Sequence, residues 1–217
     1  MNEIYFNGAF VPAAQGQVSV MDRGFLFGDG VYEVIPSYGG HFRRLEQHLD
    51  RLDDSLSGIR LDNPLTREEW QAILARLIGA PPAPDQSVYL QVTRGAPPER
   101  DHLCPAGVPP TVFAMANPMA PRRPEVDTLG VHCITRPDIR WQRCEFKAIS
   151  LLAAVMMRPL EELTSADEVW ITNSTREILP VTRLDGAPVG AWVPGPVWQR
   201  LNTLYQDYKS QVRQGHV

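Results

Sequence analysis

FLFGDGVYEVIPSYGGHFRRLEQHLDRLDDSLSGI, residues 25–59, carries both secondary-structure periods in one run. Glycines around Asp29 form a turn ahead of a strand from about Val31 to Tyr38. Gly39-Gly40 turns the chain into a short return strand. Leu45, Leu49, Leu52, Leu56 and Ile59 then recur in steps of four and three, the spacing of one apolar helix face. A strand that hands over to an amphipathic helix through a tight turn points to an α+β chain.

The same alternation of elements continues outward. Toward the N-terminus, IYFNGAFVP reads as a hairpin turning at Asn7-Gly8. Toward the C-terminus, Thr66 and Glu69 form the T-x-x-E of a capping box. The helix it opens has an apolar face of Trp70, Ile73, Leu74, Leu77 and Ile78, and Pro81, Pro82 and Pro84 end it. SVYLQVTR and TVFAMAN alternate as strands. NPMAPRRPE, residues 117–125, has three prolines and no period, which marks a linker. The expected division is an α+β domain over 1–118, a linker over 119–125 and a second domain over 126–217. In the latter, LGVHCITR is strand-like, and SLLAAVMMR is a helix apolar on nearly every side. ADEVWIT and ILPVTRLDGAPVG are strands with a turn at Asp185-Gly186. PGPVWQRLNTLYQDYKSQV is a closing helix with proline near its start. So apolar a helix at 150–158 needs several elements around it, and the chain beyond Arg158 supplies few, so this domain reads as under-built.

A net charge of −4 with no basic block argues against nucleic acid and anionic membrane as partners. No window is apolar enough to span a bilayer, and MNEIYFNGAF does not read as a signal peptide. Cys104, Cys133 and Cys144 are odd in number and far apart, which suits free thiols in a cytoplasmic chain and gives no metal site.

The basic residues are 19 Arg and 2 Lys. Lys209 reads as a solvated position of the closing helix. Lys147 lies between Phe146 and an apolar run, where a desolvated lysine can give up its proton and an arginine cannot. A lysine snorkelling from a half-buried strand fits the same pattern. Other motifs are each ambiguous alone. DRGFLFGDGVYEV is compatible with a purely structural glycine turn. QVTRGAPPERDHLCP places Arg94, Arg100 and His102 in a loop, as a carboxylate clamp or as surface charge. STREILPV sets Ser174 and Thr175 after a strand, as a phosphate-holding turn or a plain Ser/Thr turn. Arg51, on the polar side of its helix, reads as a solvated charge.

Taken in order, IYFNGAFVP, DRGFLFGDGVYEV, EQHLDRL, YLQVTRG, ERDHLCP, DIRWQRCEFKAISLL and ADEVWITNSTREILPV with RLDG resemble the class IV pyridoxal-phosphate aminotransferases, in particular those acting on D-amino acids. The resemblance implies a two-domain class IV fold with pyridoxal 5'-phosphate as cofactor, a homodimer, and amino acid and 2-oxo acid substrates. It implies that Lys147 bonds the cofactor and carries the proton, that Arg51 reaches its phosphate, and that Ser174 and Thr175 lie in the phosphate-binding turn. Tyr32, Arg100 and His102 would trap the substrate carboxylate, which points to transfer from D-alanine to 2-oxoglutarate. RGAPPERDH carries one residue more before its arginine than the family pattern.

The family's V-T-E-G-S-x-S-N block, whose glutamate pairs with the cofactor ring nitrogen, and its L-x-G-I-T-R block, which completes the phosphate cup, are absent. Glu161, Glu162, Glu168 and Glu177 do not sit in the missing motif. The chain therefore reads as an internal deletion after the lysine helix, with a truncated second domain and an exposed apolar patch over Leu151 to Met157. Two alternatives stand beside the D-amino-acid enzyme. One is a weakly active or inactive family member; the other is a 4-amino-4-deoxychorismate lyase or branched-chain aminotransferase.

Overall fold

The structure is a computed structural model that describes residues 3–134, 145–151 and 166–217. These residues fall into two compact units. One takes in 3–118 and 145–151, the other 119–134 and 166–217.

The first unit is a six-stranded antiparallel sheet with one short and two longer α-helices. Strands β1 (Glu3–Phe6) and β2 (Ala9–Pro12) form the hairpin expected around Asn7-Gly8. A short helix, α1 (Arg23–Phe27), is opened by the Asp22 side chain and closed by Gly28 at φ 66. The glycine-rich stretch thus contains a capped helical turn where a bare turn was expected. Strand β3 (Gly30–Tyr38) and the two-residue β4 (His41–Phe42) follow, then α2 (Leu45–Gly58) and α3 (Arg67–Ile78). Strands β5 (Gln86–Thr93) and β6 (Thr111–Pro118) complete the order β2-β1-β6-β5-β3-β4. The capping box forms as its residues dictate: Thr66 Oγ1 accepts from Glu69 N, and Glu69 Oε2 accepts from Thr66 N. Leu49, Leu52 and Leu56 of α2 and Trp70, Ile73, Leu74 and Ile78 of α3 are buried in one core with Val31, Ile35, Val88, Leu90 and Val92. The apolar stripes read from the sequence are therefore the faces that cover the sheet.

In the second unit, α4 (Glu125–Leu129) precedes β7 (Val131–Cys133), and β8 (Val169–Asn173), β9 (Glu177–Leu184) and β10 (Ala187–Pro188) follow. Strand β9 pairs with all three others, parallel with β7 and antiparallel with β8 and β10. Helix α5 (Pro196–Arg213) closes the chain, with Pro196 at its first position. Its Lys209 is not a solvated charge. Lys209 Nζ lies 2.7 Å from Glu177 Oε1 and is largely covered, because the helix faces a buried carboxylate on β9. Cys144, the helix expected over 150–158 and the apolar patch expected over 151–157 lie outside the described residues, except for Ser150 and Leu151.

Candidate active site

Residues 146–149 run along β3 near its start. Tyr32 N donates to Lys147 O at 3.0 Å, Ile149 N donates to Gly30 O at 3.0 Å, and Ala148 bridges Val31. Lys147 N in turn donates to Ser55 Oγ of α2 at 3.3 Å. The lysine backbone is thus held by a strand on one side and a helix on the other. Its Nζ sits 3.9 Å from the centroid of the Tyr32 ring, a cation-over-ring contact. Among the described residues this ammonium has no carboxylate partner. The Tyr32 ring stacks on Tyr89 with centroids 5.6 Å apart and planes 27° apart. Burial, together with the charge of Tyr32, pushes the Tyr89 phenol up to about 12, and its hydroxyl donates to Gln91 Oε1.

Successive side chains of a strand point to opposite faces, so Glu33 leaves β3 on the side away from Tyr32. Its side chain is fully buried. Arg51 donates to it through Nε at 2.6 Å and Nη2 at 2.7 Å, and His48 Nδ1 lies 2.8 Å away. Burial alone would raise this carboxyl. The hydrogen bonds and charges of Arg51 and His48 outweigh it and hold Glu33 below the usual carboxylate range. Arg51 is therefore not a solvated charge, although its guanidinium is half exposed. Its Nη1 has no partner among the described residues and is the donor left for an external anion.

Arg100 and His102 are exposed and brought together on one ring: Arg100 Cζ lies 4.7 Å and the His102 ring 5.2 Å from the Phe27 centroid. The loop that carries them is pinned from below by Arg23. Its guanidinium donates to the carbonyls of Asp101, His102 and Leu103 while Nε bonds Asp29 Oδ2 at 2.7 Å. Asp29 also receives Arg94, whose Nη1 and Nη2 reach the carbonyls of Arg60 and Ile59 at the end of α2. Arg94 is buried in this network and does not join the clamp expected at Arg100 and His102. Burial pushes the Asp29 carboxyl up, but the bonds from Arg94 and Arg23 outweigh it and hold it low. No motif or period marks Arg23 and Phe27 as supports. Their one signal is that both sit in the glycine-rich stretch.

Ser174 and Thr175 lie in the other unit, in the turn between β8 and β9. Asn173 Oδ1 accepts from Thr175 N at 3.0 Å, Thr175 Oγ1 at 3.3 Å and Arg176 N at 2.6 Å, so both amides and the Thr175 hydroxyl are turned onto Asn173. Glu177, buried at φ 63, is committed to Lys209, Gln206 and Arg122. Glu168 caps α5 by accepting from Val197 N and Trp198 N. Neither is available to another ligand, and Glu161 and Glu162 lie outside the described residues.

The donor set of the first unit fits pyridoxal phosphate. It offers an amine without a counter-carboxylate, set on an aromatic ring, and an arginine with one donor uncommitted.

The family model described as amino-transferase class IV matches residues 30–160. The D-alanine aminotransferase of Bacillus licheniformis is 30% identical over 275 residues, covering 94% of this chain and 96% of that protein. That of Listeria monocytogenes serotype 4b is 28% identical, with 94% of each covered. The first alignment uses 94% of 217 residues, about 204, across 275 positions, so about 70 positions of the relative have no counterpart here. Among solved structures, a branched-chain amino acid aminotransferase of T.th. with pyridoxamine 5'-phosphate superposes with TM-score 0.86 at 19% identity, over 99% of this chain and 96% of that one. The branched-chain enzyme of Escherichia coli gives 0.76 at 18% identity, over 94% and 93%. These two likenesses support the class IV fold.

Proposed function

The chain belongs to the class IV aminotransferases, and from that premise we propose that it transfers the amino group of a D-amino acid to a 2-oxo acid. The expected type is D-alanine with 2-oxoglutarate, giving pyruvate and D-glutamate. The observation that carries the reading is Lys147. Its amine rests on Tyr32 without a carboxylate among the described residues, while its backbone is clamped at both N and O.

Pyridoxal phosphate, when bound, supplies the electron sink for the electrons left at the substrate Cα. Lys147 would hold it covalently, and Arg51 would meet its phosphate through Nη1. Nζ of Lys147 would take the proton from Cα and later return it. An amine that is not committed to a carboxylate among the described residues is available for this exchange. Tyr32 fixes the direction from which Nζ approaches. Arg100 and His102, each against the Phe27 ring, would offer a planar fork and a second donor to the substrate carboxylate. Which hydrogen faces Lys147 then depends on where the carboxylate is held. The Arg-x-His pair and the D-alanine aminotransferase relatives favour a D-substrate. A homodimer in the cytoplasm completes the reading.

The alignment gap favours a second reading, a family member of low activity. Glu168 and Glu177 are committed elsewhere, so no described glutamate after the lysine is free for the cofactor ring nitrogen. Loss of such a preorganised partner lowers turnover by about 10²–10³-fold. Turnover of D-alanine with 2-oxoglutarate, beside L-leucine with 2-oxoglutarate, tests both readings. D-alanine is expected to be the better substrate at a low kcat, and Arg100→Ala to lower kcat/KM by about tenfold or more through the lost bidentate contact. Preference for L-leucine, or an Arg100→Ala variant of undiminished activity, contradicts the D-amino-acid reading. No turnover with either leaves the low-activity reading.

A further inference from the structure

Gly58 is the last residue of α2 and has helical backbone geometry, so nothing in its conformation calls for glycine. Alanine is the better helix former at such a position. The reason for glycine is a neighbour: a Cβ here would overlap the ring of Phe146, whose Cε1, Cδ1 and Cζ fill that space. Ser55, three residues earlier and so on the same helix face, is buried and accepts Lys147 N. At the other end of the segment, Ser150 Oγ donates to Gly28 O, and a Cβ at Gly28 would fall 2.5 Å from Ser150 Oγ. The segment 146–150 is keyed into three places where the surrounding chain carries no side chain or a small one.

We propose that the notch at Gly58, filled by Phe146, and the Ser55 hydroxyl beside it are positioning elements. They set the depth and register at which Lys147 is presented over Tyr32. The inference rests on the reading of Lys147 as the reactive amine and extends it to residues that touch neither substrate nor cofactor. Phe146 fixes the residue before the lysine, Ser55 fixes the lysine N–H, and Tyr32 N fixes its carbonyl. With both flanking peptide planes held, the side chain leaves from a fixed backbone and reaches the Tyr32 ring.

The chain's two lysines make the test self-calibrating, since Lys209 belongs to the other unit and is paired with Glu177. The full chain is labelled with pyridoxal phosphate and borohydride, and separately with trace acetic anhydride. The Lys147:Lys209 label ratio is read by peptide mapping for wild type, Gly58→Ala, Phe146→Ala and the double variant. Gly58→Ala is expected to lower the phosphopyridoxyl ratio by about tenfold, because a displacement near an ångström is enough to lose productive geometry. It is also expected to raise the anhydride ratio as Nζ leaves the ring. In the Phe146→Ala background the same substitution is expected to change neither ratio, since the ring it would strike is gone. Unchanged ratios in Gly58→Ala, or the same shift with and without Phe146, overturn the proposal. If Gly58→Ala does not fold, the comparison of Phe146→Ala with the double variant decides it. If the wild type takes no phosphopyridoxyl label at Lys147, the reading of Lys147 fails, and the anhydride ratios still judge the notch.

Discussion

Glu33 shows how much a single residue can hide. In the sequence it is one acidic position in a strand, with no mark to set it apart from solvated glutamates. In the fold it is a fully buried carboxylate that holds Arg51 in place. In the sequence Arg51 reads as solvated because helix geometry places it on the polar side, and that geometry cannot reveal a charge on the neighbouring strand. Lys147 is more legible, because a lysine before an apolar run in an Arg-rich chain is conspicuous. The folded pKa values of Glu33 and Asp29 both lie below their unfolded values, whose ordinary references are 4.5 and 3.8. As pH falls, the unfolded chain binds these protons first. The stability they contribute is therefore present above about pH 4.5 and lost as pH falls through the folded values. Urea unfolding at pH 7 and pH 4 should show this loss. Glu33→Gln should be less stable at pH 7 by about 2 kcal/mol, since a partner of buried charge is removed, and should show a smaller drop on acidification. An undiminished drop would place the acid sensitivity elsewhere.

The elements that a sequence specifies locally are those the structure shows most plainly. The capping box at Thr66, the apolar stripe of α2, the hairpin at Asn7-Gly8 and the proline start of α5 each depend on residues within a few positions of one another. What stayed out of reach depends on residues far apart in the chain. Arg23 meets the loop at 101–103, Phe146 meets Gly58, and Lys209 meets Glu177, with no period or spacing to announce them. Helix α5 carries one such tie at its start, where Glu168 takes two of the amides that a helix leaves unpaired. Glu168→Ala should destabilise the second unit by about 1 kcal/mol, in the range of a lost N-terminal cap, with the Lys147 label ratio unchanged. Thermal unfolding of the variant reads the first, peptide mapping the second. A melt identical to wild type would mean that water replaces the cap without loss.

At the scale of the whole molecule, the class IV resemblance rested on the order of short blocks along the chain, and the family match and the D-alanine aminotransferase relatives agree with it. The chain aligns with nearly the whole length of those relatives while leaving about 70 of their positions without counterpart, so the shortening is internal. The residues that clamp Lys147 all lie in the first unit with it, in segments the chain retains. The central claim is that this clamped lysine is the amine that takes up pyridoxal phosphate. The most direct measurement is borohydride reduction of the wild-type chain mixed with pyridoxal phosphate, followed by peptide mapping of the label. The account predicts a secondary amine on Lys147 in large excess over Lys209. A label shared evenly by Lys147, Lys209 and the N-terminal amine would contradict it.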